Sequence, residues 1–147
     1  MNLSIEIPKG YEIDTFDKQT GVVTFKEKPK SVIERISSVE TLLAEYGLTV
    51  QELRSQCAGL TEDEIAYRIL KILTIVLNEG WTPNWSDFNE SKYYPCFEMG
   101  GSSGFRFDDC VSWLSFSDVG SRFCFKSAKL AQHAGKHFTE VYKQFMT

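Results

Sequence analysis

His133 and His137 are the only histidines in the 147-residue chain. Placed four residues apart on a helix, they would share a stripe with Glu140, and two imidazoles with a carboxylate form a transition-metal donor set. The run His133-Ala134-Gly135-Lys136-His137 lacks the glutamate directly after the first histidine that a zinc-protease helix uses as general base. No physiological metal is therefore expected. His133, His137 and Glu140 remain candidates for adventitious nickel or zinc.

Four cysteines, Cys57, Cys96, Cys110 and Cys124, show no CxxC spacing, so reduced structural thiols are expected. A nucleophilic thiol needs an electropositive setting. Cys110 stands beside Asp108 and Asp109, which disfavour its thiolate, and Cys57 falls at the C-terminal pole of a helix. Gly100 to Gly104 shares only its glycines with a phosphate loop, since Phe105 and Arg106 stand where a lysine and a hydroxyl are needed. It reads as a hairpin loop. Asp108, Asp109 and Asp118 could gather a divalent cation, as could Asp87 with Glu90, but turn chemistry accounts for all five. No catalytic residue and no cofactor are implied.

The aromatic residues say more. Trp81, Trp85, Phe88, Tyr93 and Tyr94 cluster in a loop and the strand after it, with Lys92, Arg106 and Arg122 as nearby cations. An aromatic platform with a few bases can stack nucleobases or sugar rings. The competing reading is that these rings cover the sheet and fill the core.

Composition narrows the function classes. Hydrophobic residues make up 42% of the chain and charged residues 24%, as in an ordinary soluble domain. Net charge is −4. All of that excess lies before Gly80, where 13 acids face 9 bases, whereas 7 face 7 in the remainder. Neither part carries the basic excess of a non-specific nucleic-acid binder. The start, MNLSIEIPKGYEID, has acids by residue six and is not a signal peptide, and the apolar run from Ile65 to Leu77 is too short to span a bilayer. A soluble, cytoplasmic protein with no membrane partner is expected.

These residues need positioning elements. A β-hairpin is predicted over residues 1–30: Leu3, Ile5 and Ile7 on one face of a short strand, Tyr11 to Phe16 resuming after Pro8-Lys9-Gly10, and Val22 to Lys26 returning after a turn closed by Gly21. Residues 31–80 read as helical, with capping boxes at Ser37/Glu40, Thr49/Glu52 and Thr61/Glu64. The third helix carries a broad apolar stripe, Ile65, Ile69, Ile72, Leu73 and Val76, and ends at Gly80. Residues 81–126 read as an aromatic loop followed by antiparallel strands: Tyr93 to Met99, with Pro95 at an edge or bulge, then Phe105 to Phe116, long and bent or broken at Asp108-Asp109, then Arg122 to Lys126. Residues 127–147 form a last helix, Ala128 to Met146, capped by Ser127. The expected fold is α+β: one domain, with a small antiparallel β-sheet (the N-terminal hairpin plus a three- to four-stranded meander) packed against about four helices.

The stretches LNEGWTPNWSDFNESKYYPCFEM, GFRF and VGSRFCFKSAKLAQHAGKHFTEVYKQF, with IPKGYEID near the start, resemble a family of uncharacterised small proteins of Bacteroides-type gut bacteria, their prophages and related phages. The resemblance covers residues 77–145 and implies a phage or mobile-element context, and no catalytic residues can be carried over from it. The leading expectation is a non-enzymatic binding or accessory protein. The runner-up is a nucleic-acid-binding module working through the aromatic surface, and a third reading is a metal-dependent enzyme. The partner would be a protein or single-stranded nucleic acid. A second copy could pair along the Tyr93 to Met99 strand, although Pro95 opposes it.

Overall fold

The computed structural model describes residues 4–102 and 104–147, and the chain divides into two compact units, residues 1–31 and residues 32–147. The class is α+β.

In the first unit β1 (Tyr11–Phe16) pairs antiparallel with β2 (Val23–Glu27). Asp17 closes the turn: its carboxylate accepts the Gln19 and Thr20 N–H groups at 2.8 and 3.3 Å. Gly21 returns the chain with φ 71°, which a side chain would resist. A bulge falls between Ile13 and Thr15. The alternation then places Tyr11, Ile13, Phe16, Val23 and Phe25 on one face, while Lys26 joins Glu12 and Asp14 at 3.5 and 3.6 Å on the other. Ile5 and Ile7 lie outside any strand, and Leu3 lies outside the described residues.

The second unit begins with α1 (Val32–Arg35), a single turn that the sequence did not signal. It continues through α2 (Val39–Tyr46), α3 (Val50–Gln56) and α4 (Glu62–Asn78). The first cap is Ser38, one residue later than expected, because Thr41 supplies the reciprocal bond. At the other two boxes Glu52 and Glu64 take the Thr49 and Thr61 N–H groups at 2.7 and 2.8 Å, as expected. α4 is the central element. Ala66, Leu70, Leu73 and Leu77 are fully buried on it, among Leu42, Leu43, Phe125 and Phe138.

β3 (Lys92–Glu98) pairs antiparallel with β4 (Arg106–Trp113), which runs unbroken through Asp108 and Asp109 with a bulge opposite Cys96 and Phe97. Of the loop between them, Ser103 lies outside the described residues. The expected meander narrows to these two strands. The Arg122 to Lys126 segment forms a 3-10 turn at Ser121–Phe123 and then one bridge, in which Tyr93 and Phe125 exchange backbone bonds of 3.0 and 2.8 Å. Pro95 explains why the ladder stops there. It lies two residues beyond Tyr93 and so turns the same edge toward Phe123, with no N–H to donate.

The last helix is likewise two: α5 (Ala128–His137) and α6 (Thr139–Met146). The chain breaks at Phe138, which leaves helical geometry at φ −120°, and the Thr139 hydroxyl bonds back to the Gly135 carbonyl at 2.6 Å. There are thus six helices rather than about four among the described residues. None of them is long and apolar enough to cross a membrane.

Candidate functional site

Lys71, Thr74, Ile75 and Asn78 fall at i, i+3, i+4 and i+7 of α4 and therefore share one face. With Trp81, Thr82, Pro83 and Trp85 from the loop after α4, and Ser121, Arg122 and Cys124 from the 3-10 segment, they enclose a cleft of about 470 Å³. Asn78 holds the third wall in place. It is buried, donates to the Cys124 carbonyl at 2.8 Å and accepts the Lys126 N–H at 3.0 Å. No carboxylate lines the cleft, and neither Lys71 nor Arg122 has an ion-pair partner among the described residues. The Lys71 ammonium sits 4.7 Å from the Tyr67 ring centroid. Two part-buried indoles and Arg122 thus line one space in a chain of net charge −4, while Lys71 borders both this cleft and a neighbouring depression lined by Tyr67, Asp63 and Glu64.

The loop that presents the indoles is built around Lys92. This side chain is fully buried, and its ammonium donates to the carbonyls of Asn84 (2.7 Å), Glu90 (2.8 Å) and Asp87 (3.3 Å). The Glu90 carboxylate lies 3.2 Å from the ammonium and accepts the Asn84 N–H at 2.8 Å. The Trp85 ring covers the ammonium at 5.4 Å. Lys92 is therefore a scaffold for the cleft rather than a charge within it.

Glu90 is held below the ordinary carboxylate range, chiefly by the Asn84 N–H, with burial opposing and Lys92 and the Trp81 indole contributing less. Its pKa is depressed on folding, so the bonds it accepts are intact above the ordinary glutamate range and are lost as pH falls through the depressed value. In a Trp113→Phe protein, whose emission reports only Trp81 and Trp85, acid titration should leave the emission unchanged through 4.5 and shift it below that pH. Glu90→Gln should abolish that step.

The seven aromatic and basic candidates occupy several places rather than one surface. Trp81 and Trp85 share the cleft. Phe88 is 67% exposed and outside it. Tyr93 packs against the core and bridges to Phe125. Tyr94 lines a separate apolar groove of about 470 Å³ with Val111, Trp113, Val119, Tyr142 and Met146. Its hydroxyl, 3.0 Å from that of Ser117, is pushed up to about 12 mainly by burial. Arg106 is paired with Glu98 across the β3–β4 hairpin. Arg122 was expected nearby and does line the cleft. Lys71 is the residue that sequence reasoning missed, although a lysine interrupting the apolar run of α4 was its visible signal.

His133 was expected to share a helix stripe with His137 and Glu140 as an adventitious metal donor. It is buried instead, with its Nε2–H directed at the Ile36 carbonyl at 2.5 Å, and burial lowers its pKa. The His137 ring lies against it, tilted by 35° with ring centroids 4.3 Å apart. The break at Phe138 takes Glu140 onto α6, where it lines a depression with Glu62 and Asp63. Among the described residues no group of three or more His, Cys, Asp or Glu side chains could hold a metal ion. All four cysteines are free. Burial first, and then Asp109, raises the Cys110 pKa, while burial raises that of Cys124. Against known proteins, the chain matches no family model, no curated protein and no solved structure.

Proposed function

We propose that this protein is a non-enzymatic binding protein of phage or mobile-element origin, and that the Trp81–Trp85 cleft holds single-stranded nucleic acid. One observation carries the nucleic-acid reading: two indoles, Lys71 and Arg122 line a cleft with no acid in its lining, and neither cation has an ion-pair partner among the described residues. A volume of about 470 Å³ falls within the usual range of small-ligand pockets and suits one or two nucleotides. A base stacks on an indole whatever its identity, and a phosphate oxygen is met by Lys71 or Arg122. The acidic remainder of the chain repels a longer backbone, which limits the contact to a short stretch.

The test is quenching of Trp81 and Trp85 in the Trp113→Phe protein by a short oligothymidylate at two salt concentrations. Trp85→Ala should weaken binding by roughly 1–3 kcal/mol, the usual worth of one stacked base. With two cations engaged, log K should fall against log salt with a slope of about −1.4, and Arg122→Ala should reduce that slope by about 0.7. Absence of quenching at low salt would sink the proposal.

A further inference from the structure

Four oxygens from residues 84–90 converge on one positive centre: the carbonyls of Asn84, Asp87 and Glu90, and the Glu90 carboxylate. An ammonium has three N–H donors, and here they meet three carbonyls while the carboxylate balances the charge. The Trp85 ring closes another side, 5.4 Å from the nitrogen. Such convergence of carbonyl and carboxylate oxygens is how proteins hold hard cations.

The spacing selects which cation. Oxygens at 2.7–3.3 Å lie farther out than the roughly 2.3–2.6 Å of calcium sites, so a divalent ion would require the loop to contract. The cage is also tied by bonds that Lys92 does not make. Glu90 accepts the Asn84 N–H, the Asn84 side chain accepts the Ser86 N–H at 3.0 Å, and Asp87 accepts the Asn89 N–H at 2.8 Å.

We propose that residues 84–92 form a binding site for a primary ammonium group, occupied by the Nζ of Lys92, and that the site persists without that side chain. Cut back to alanine, the chain takes up a free alkylammonium ion in its place. This inference concerns the loop alone and would survive a failure of oligonucleotide binding. An ordinary buried ion pair between Lys92 and Glu90 predicts no such uptake.

The experiment compares Lys92→Ala in the Trp113→Phe background with n-propylammonium chloride, which resupplies the atoms removed, and with tetramethylammonium chloride at equal ionic strength. Lys92→Ala should lower the Tm and shift the emission of Trp81 and Trp85. n-Propylammonium should restore both with a saturable concentration dependence, and tetramethylammonium, which has no N–H, should not. Equal effects of the two salts, or of neither, overturn the proposal. If the variant is unfolded, refolding in n-propylammonium alone supports the site and refolding in neither salt overturns it. In the unaltered protein, one lysine Nζ–H signal should be protected from solvent exchange at neutral pH. Absence of that signal also overturns the proposal.

Discussion

Phe125→Ala should destabilise the 32–147 unit by about 3–5 kcal/mol, the range for deleting a buried phenyl ring. Phe125 is fully buried in the core around α4. Its backbone exchanges two hydrogen bonds with Tyr93, and alanine retains both. The loss therefore measures the ring and the cavity it leaves. Phe125 also lies between Cys124 and Lys126, the two residues whose backbone Asn78 clamps. Urea unfolding should give a lower midpoint with an unchanged slope, since the same surface is exposed on unfolding. A loss below about 1 kcal/mol would fall outside the range for a buried ring and would mean that the segment is not packed as described.

Gly135→Ala should be destabilising although it places a better helix former inside α5. An ideal Cβ at Gly135 would overlap the Phe107 ring and stand 3.0 Å from Pro95 Cβ. Gly135 is buried where α5 lies on the β3–β4 hairpin. Neither neighbour is the free end of a flexible chain: Phe107 is a ring between strand and helix, and Pro95 is tied into the backbone. Overpacking of this kind costs about 1–3 kcal/mol, and the depth of the overlap points to the upper end. Helix propensity returns about 1 kcal/mol, leaving a net loss of about 2 kcal/mol. Thermal unfolding measures it. A neutral or stabilising result would show that helix and hairpin are farther apart than the structure places them.

These two residues also mark where sequence reasoning stopped. Gly135 falls inside the last helix that the sequence predicts, and nothing near it in the chain announces Phe107 or Pro95. Phe125 was read as part of a strand. The strand reduces to a bridge because Pro95, about thirty residues earlier, cannot donate the next bond. The proline's effect was visible in advance, but the segment it would meet was not. At Phe138 the apolar spacing of one long helix continues unbroken while the backbone does not, so periodicity could not reveal the interruption.

Local features were far more legible. The Thr49/Glu52 and Thr61/Glu64 boxes formed as spaced, because each needs only groups within one turn of helix. The Asp17 turn with Gly21 and the broad buried face of α4 belong to the same class. For the candidate site, the indoles and Arg122 were identified from composition and spacing, whereas Lys71, inside the apolar run of α4, was not among the candidates.

Sequence alone thus determined the α+β class, the starts of α3, α4 and α5 and the residue types available for chemistry, since these depend on period and on partners a few positions away. The tertiary structure decided which of those residues meet. Lys92 shows the physical reason most plainly. Its charge and reach can be read from one letter, but the carbonyls of Asn84, Asp87 and Glu90 converge on it only once the loop has closed. A backbone carbonyl is present in every residue type, so no side-chain pattern could have pointed to these three.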